Sequence, residues 1–347
     1  MIFSQLLLSA YYLFVGMGCP ASKEGIQVYR FDSEKGTAEY VSGVSGLSYP
    51  TFQCVSPDGK RVYSVCEDQK GSAAAFLRYD RKQHTLTLEQ TELTASPGPC
   101  HISLTPDGKL VTTANYTGGT VSLFSVGSDG RLGPARVQKF SGSSIVEGRQ
   151  EKPYLHATYT TPDHRYLMAD DLGTDYIHLL PLRKGLQAEE FFLKAGAGPR
   201  HLCWAPDKKH AYVIGELSGE VFTLGYKKHR LELQQVLVAD SLGAGGSADI
   251  HITRDGRFVY TSHRLRGDGV SILRVQPDGT LQKIGYQDTG THPRNFTLSP
   301  DDRYLLVACR DTDEVEIYER DAKTGMLRDT GHRIHVSSPM CLQWLPR

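Results

Sequence analysis

The chain has 347 residues, long enough for one large domain or two ordinary ones. Lys+Arg and Asp+Glu each total 39, and zero formal charge argues against a nucleic-acid or anionic-membrane partner held by a global field, while leaving room for a small anion met by local cations. Gly (35), Tyr (18) and Pro (17) punctuate short apolar runs, the texture of strands joined by turns, and seven scattered cysteines without a CxxC pair read as reduced thiols of a cytoplasmic protein.

From the N-terminus, Met1 to Val15 is apolar, and Gly18-Cys19 could pass for a lipoprotein cleavage site. No Lys or Arg precedes Lys23, so the basic start of an export signal is missing. Residues 1–10 are read as a short apolar leader, with export the lesser alternative, and Tyr11–Gly16 as a strand. No other apolar run approaches the ~20 residues of a membrane span.

One unit then recurs: an apolar strand, a Pro-Asp-Gly-like turn, a basic residue and a Tyr- or Val-rich strand. Its turns are Ser56-Pro57-Asp58-Gly59-Lys60, Thr105-Pro106-Asp107-Gly108-Lys109, Thr161-Pro162-Asp163-His164-Arg165, Ala205-Pro206-Asp207-Lys208-Lys209, Thr253-Arg254-Asp255-Gly256-Arg257 and Ser299-Pro300-Asp301-Asp302-Arg303. The turn Asp residues are spaced by 49, 56, 44, 48 and 46 residues, and each interval holds a second hairpin signal such as Val126–Leu132 or Val275–Leu281. Four strands per unit of this length make a propeller blade. The C-terminal run Ser338–Pro346 is a first strand that stops at its turn, and the N-terminus supplies the rest: Tyr11–Gly16 as second strand and Gly25–Phe31 as third. The expected fold is all-β, a seven-bladed β-propeller over residues 11–347, closed by pairing N- and C-terminal strands in one blade so that no sheet edge is left at the seam.

The turn Asp also indexes the site. Six residues before it the first strand begins, and nine after it the second ends, so antiparallel pairing puts both at one mouth of the channel. The −6 column reads Phe52, His101, Ala157, His201, Asp249, Asn295 and Cys341, with His156, Arg200 and Arg294 at −7 and His251 at −4. The +9 column gives Glu67, Tyr116, Leu172, Glu216, Arg264 and Arg310, with Asn115 and Asp171 one residue earlier. So many polar groups on the innermost strands are costly unless water or a ligand satisfies them, which marks a candidate site. A water-filled channel with solvated side chains is the competing account. His156, one register off the −6 column, suggests a local bulge. Glu216 needs Arg200 or Arg264 as a partner, and Asp171 and Asp175 are expected to shape a loop.

Gly196-Ala197-Gly198-Pro199-Arg200-His201, the Glu216 strand, Ser247–Thr253, Thr291-His292-Pro293-Arg294-Asn295-Phe296 and Asp171-Leu172-Gly173-Thr174-Asp175 together resemble the seven-bladed 6-phosphogluconolactonase family, over about Tyr11 to Leu345. The resemblance implies hydrolysis of 6-phospho-D-glucono-1,5-lactone to 6-phosphogluconate in the pentose phosphate pathway, without cofactor or metal. The related carboxymuconate lactonizing enzymes use a His, an Arg, a Glu and a second Arg, which fall by motif on His156, Arg200, Glu216 and Arg264. His156 or Glu216 would activate water, Arg200 would stabilise the oxyanion, and Arg294 with Arg264 and His101 would grip the phosphate. His101, Asn115, His201, Asp249, His251 and Arg294 are the candidate substrate-binding residues. The expected partner is a small phosphorylated sugar lactone, with no nucleic acid and no membrane, acted on by a monomer or weak homodimer. Ser262-His263-Arg264 departs from the family, which usually has Asn at the His263 position. A lactonizing cycloisomerase, a metal-dependent lactonase using His101, His156, His201, His251 and Asp249, and a non-catalytic binding propeller remain as alternatives. WD-type blades would need Trp-Asp pairs, and neither Trp204 nor Trp344 is followed by Asp.

Overall fold

The computed structural model describes residues 10–68 and 71–346, so residues 1–9 of the expected leader lie outside the described part. The repeated turn shows why each unit folds as it does. Thr105 Oγ1 donates to Asp107 Oδ1 (2.7 Å), the same carboxylate oxygen accepts the Lys109 N–H (3.1 Å), and Thr105 Oγ1 accepts the Leu110 N–H (3.1 Å). Ser56 with Asp58, Thr161 with Asp163, Thr253 with Asp255 and Ser299 with Asp301 repeat the hydroxyl-to-carboxylate bond. Ala205 has no hydroxyl to offer. There Asp207 accepts from the backbone of Lys209 and His210 and from the His210 ring (2.6 Å). These side chains substitute for ladder bonds that a tight turn cannot make.

Each turn joins the first two strands of a four-stranded antiparallel sheet, and the described residues form seven such sheets. Blade 1 spans residues 53–93, blade 2 99–139, blade 3 155–192, blade 4 199–238, blade 5 247–288 and blade 6 293–335. Blade 7 is composite: Pro339–Trp344 is its inner strand, followed by Ala10–Met17, Ile26–Asp32 and Thr37–Val44. Leu13 pairs with Trp344, Val15 with Leu342 and Gly16 with Cys341, while Phe14 pairs with Val28 on the other side. The expected split blade is therefore present. Period-two alternation sends Leu13 and Val15 into a core with Leu306 and Leu342, and Phe14 into a core with Val62, Ala75 and Leu77.

Second-strand tyrosines bolt blades together. Tyr63 OH donates to Gly130 O (2.9 Å), Tyr212 OH to Gly279 O (2.8 Å) and Tyr260 OH to Gly325 O (2.7 Å), each reaching the next blade's outer hairpin.

The register irregularity expected of His156 alone turns out to be part of the repeat. In blades 2, 3, 4, 6 and 7 the inner strand skips one residue in its pairing: Cys100, His156, Arg200, Arg294 and Met340 have no cross-strand partner between paired neighbours. A bulge turns such a residue off the strand's alternating faces. Four of the five lie beside one another at one mouth, and that repeated bulge is what builds the site.

Candidate active site

At this mouth a cavity of about 350 Å³ is lined by Gly98, Pro99, Cys100, Tyr116, Thr117, His156, Glu216, Arg264 and Arg294. A larger cleft of about 610 Å³ opens between blades 2 and 3, but its lining is mainly Leu110, Leu123, Val137, Leu180 and Leu182 with Arg136, and it holds no comparable cluster of titratable groups.

Glu216 follows directly on the strand His210–Gly215 and is buried. Three guanidiniums converge on it. Arg200 Nε donates to Oε2 (2.7 Å), Arg264 Nη2 lies 3.3 Å from the same oxygen, and Arg149 Nη2 donates to Oε1 (2.7 Å). Burial alone would raise the carboxyl pKa, but Arg264, Arg200 and Arg149 outweigh it and hold it at about 2. Glu216 is thus ionised throughout the physiological range, and its proton affinity is low.

Arg200 does not line the cavity. It is 1% exposed, stands behind Glu216, and also donates through Nη1 to Ala248 O (2.6 Å). Arg200 is expected to meet the developing oxyanion; in the structure its guanidinium is engaged by Glu216 and by the Ala248 carbonyl. Arg264 does reach the cavity, fixed by Nε donating to Gly246 O (2.8 Å). Burial and the charge of Arg200 lower its pKa to about 9, which leaves it protonated at neutral pH.

Arg294 lines the cavity and, unlike the other three, makes no hydrogen bond or ion pair with any described residue. Burial, then the charge of Arg200, lowers its pKa to about 10, with the Glu216 charge opposing them, so a desolvated cation faces the cavity with no carboxylate bonded to it. Such a group calls for an anion.

His156 Nε2 lies 4.0 Å from Glu216 Oε2, and its Nδ1 is buried without a hydrogen-bond partner. Burial first, and then the charges around it (Arg200, His201, Arg294 and Arg264), push its pKa well below the usual histidine range. The ring is neutral at pH 7, with the Tyr116 ring packed edge-on at 5.7 Å.

The −6 column forms a separate layer outside the cavity lining. His201 Nδ1 donates to Asp249 Oδ1 (2.7 Å), His251 Nε2 donates to Oδ2 (3.0 Å), and the Asn295 amide donates to Oδ2 as well. His101 accepts the Thr158 N–H on Nδ1 (3.3 Å) and stacks on Phe52 with ring centres 4.3 Å apart. His101, His201, Asp249 and His251, expected to bind substrate, are not among the residues lining the cavity and bond to one another or to their neighbours, with the His201 ring packed edge-on to His156 at 5.2 Å. Asn115 is also placed elsewhere: its amide donates to Thr120 Oγ1 (2.9 Å) and Ser122 Oγ (2.8 Å), which knits its own blade. Among the described residues no group of three or more His, Cys, Asp or Glu is arranged to hold a metal ion.

Asp171 and Asp175 shape loops as expected. Asp171 accepts the Tyr154 and Gly173 N–H groups (2.8 and 3.0 Å). Asp175 accepts from Gly196 and Gly198 N–H (2.7 Å each), from Gln150 Nε2 (2.8 Å) and from Ser144 Oγ. It therefore ties the glycine loop before Arg200 to the segment that carries Arg149. Arg149 itself was not found by the column count, because residues 140–154 have no strand and no turn Asp to index them.

The chain matches the model of a family described as a lactonase with a seven-bladed β-propeller, over residues 12–344. A Bacillus subtilis protein named 6-phosphogluconolactonase is 33% identical over 97% of this chain and 99% of its own length. The crystal structure of a Bacteroides fragilis protein provisionally named a 6-phosphogluconolactonase is 40% identical, with a TM-score of 0.92 over 97% of this chain and 98% of that one. That of a Pseudomonas aeruginosa protein named periplasmic gluconolactonase, PpgL, is 29% identical, with a TM-score of 0.90 over 97% and 99% of the two chains.

Proposed function

Given that the chain belongs to the seven-bladed β-propeller lactonase family and is a lactone hydrolase, we propose that its substrate is 6-phospho-D-glucono-1,5-lactone and its product 6-phosphogluconate. The observation that carries the choice of a phosphorylated lactone is Arg294, a cavity-lining guanidinium that makes no hydrogen bond or ion pair with any described residue. An unphosphorylated gluconolactone has no charge to meet it, whereas a phosphate presents oxygens to its planar fork.

His156 is the base in this reading. Its imidazole is already in the proton-accepting form, while Glu216 has its oxygens engaged by guanidiniums. Water adds to the lactone carbonyl carbon as His156 takes its proton. The ring C–O bond then breaks, and the same proton passes to the departing oxygen, which becomes the C5 hydroxyl. Glu216, 4.0 Å away, faces the imidazolium while it exists, and Arg264 supplies donors to the carbonyl oxygen as charge builds there. Arg200 acts by fixing Glu216.

The test is a continuous assay of the purified protein on the phosphorylated lactone, unphosphorylated gluconolactone and muconolactone. The phosphorylated lactone should give the highest kcat/KM, and a preference for muconolactone would move the chain to the lactonizing enzymes. His156→Gln should lower kcat by ~10²–10⁴-fold at unchanged melting temperature. Because His156 titrates well below its usual range, the wild-type rate should stay level from pH 8 down through pH 6 and fall only in more acid solution. A rate that halves near pH 6.5 would remove His156 from the role.

A further inference from the structure

Glu216 is held by three arginines that are not equivalent. Arg200 and Arg264 are buried and are also bonded to backbone carbonyls, Ala248 O for the first and Gly246 O for the second. Their guanidiniums cannot leave without abandoning those carbonyls. Arg149 takes the other carboxylate oxygen and also meets the Tyr116 hydroxyl; among the described residues it donates to no backbone carbonyl, its side chain is 36% exposed, and although it is not in the cavity lining, both of these partners are. The segment beneath it is anchored. Gln150 Nε2 donates to Leu172 O (2.7 Å) and to Asp175, and Ser144 N donates to Gln150 O (2.8 Å). A fixed backbone and a partly exposed side chain held only through other side chains describe a group that can swing while its backbone stays.

We infer that Arg149 is a latch: the phosphate of the substrate draws its guanidinium off Glu216 Oε1, so that binding the phosphorylated end of the lactone readies the carboxylate at the reacting end. This rests on the reading of the substrate as a phosphorylated lactone. The competition is one-sided in charge. A phosphate monoester carries close to two negative charges at neutral pH, whereas Glu216 carries one, already shared with Arg200 and Arg264. Of the three guanidiniums on Glu216, that of Arg149 belongs to the most exposed side chain (36%, against 2% for Arg200 and 6% for Arg264) and is the one most readily exchanged. Once Arg149 has left, Glu216 retains more unneutralised charge to stabilise the imidazolium of His156, 4.0 Å away. Arg149 is thus a phosphate-binding residue that also positions charge, and part of the phosphate's binding energy appears in kcat.

Inorganic phosphate separates the two halves of the idea, with unphosphorylated gluconolactone as substrate. Free phosphate should fill the anion site, release Arg149 and raise the wild-type rate several-fold. Arg149→Gln, with no latch to release, should hydrolyse the unphosphorylated lactone faster than wild type and ignore phosphate. Its kcat/KM on the phosphorylated lactone should fall by 10-fold or more. Arg149→Lys keeps the charge but lacks the fork, so phosphate activation should survive in weakened form. If Arg149→Gln lowers both substrates by one factor, or still responds fully to phosphate, the latch is overturned while the substrate reading stands. A wild-type enzyme with no preference for the phosphorylated lactone overturns the substrate reading first and the latch with it.

Discussion

At Asp170 both carboxyl oxygens are buried without a hydrogen-bond partner, and burial alone raises its pKa well above the ordinary carboxylate value. It shares a strand face with Met168, which packs in the apolar core between blades 3 and 4. A folded-state pKa above the unfolded one means that the native protein holds the extra proton. Its stability contribution is therefore complete below the unfolded pKa of about 4 and is lost as pH rises toward the folded value. Asp170→Asn removes the titration. The variant should match wild type near pH 4 and exceed it at pH 8 by roughly 1–3 kcal/mol, read from thermal melts at both pH values. An equal shift at both would show that the carboxyl does not titrate in this range. Legibility at this scale was uneven. Glu216 needing arginines could be read from the sequence, since a carboxylate closing an apolar strand must be paired. That Arg200 would stand behind it rather than in the cavity could not, because a bulged residue has no face assigned by alternation. His263, the departure from the family pattern, pairs through Nδ1 with Ser247 Oγ (2.8 Å), and the Ser247 carbonyl in turn lies 3.4 Å from Arg264 Nη2. The exchanged residue therefore still supports the Arg264 side of the site.

The turn is the element in which the sequence speaks most plainly, because its geometry demands particular residues. The position after the turn Asp lies in the left-handed region in six blades, at φ 64, 69, 56, 59, 72 and 59° for Gly59, Gly108, His164, Lys208, Gly256 and Asp302. Gly108 isolates the backbone effect, since a Cβ there would meet no atom within 4 Å. Gly108→Ala should destabilise by ~1 kcal/mol, the left-handed penalty partly offset by the stiffer unfolded chain. Lys208→Gly, at the equivalent turn of blade 4, should stabilise by a similar amount, and denaturant melts of both variants check the pair. Should both move in the same direction, contacts rather than backbone strain would govern the turn. The same regular turn explains why the −6 column could be counted and why its members lie in one layer. It also explains what the count does not place in the cavity lining. Asn115 stands one residue before the +9 position, so alternation turns it away from the face of Tyr116 and into hydrogen bonds within its blade. Arg149 has no counterpart in the repeat at all.

For the whole ring, stability depends on a joint between chain ends that are more than 320 residues apart in sequence, Gly16 against Cys341 and Leu13 against Trp344. As in every blade, the inner strand pairs only with the second strand, but here the two come from opposite ends of the chain with no turn to join them, so the pairing alone holds the seam. Removing Ala10–Met17 would strip the partner of Pro339–Trp344 on one side and of Ile26–Asp32 on the other. It would also take Leu13 and Val15 from the core shared with blade 6 and Phe14 from that shared with blade 1. At about 1.5–3 kcal/mol for each large apolar side chain, those three alone approach the whole stability of an ordinary domain. Deletion of residues 1–18 should therefore abolish the cooperative melt and leave aggregated protein. Deletion of residues 1–9 should keep both the melting temperature and lactone hydrolysis, because the described pairing begins at Ala10 with Asp32. The two truncations, followed by circular dichroism melts and size-exclusion chromatography, divide the apolar N-terminus into a dispensable leader and a structural strand. An unchanged cooperative transition after the longer deletion would mean that the ring closes without its second strand, and the seam would have no part in holding the site at the channel mouth.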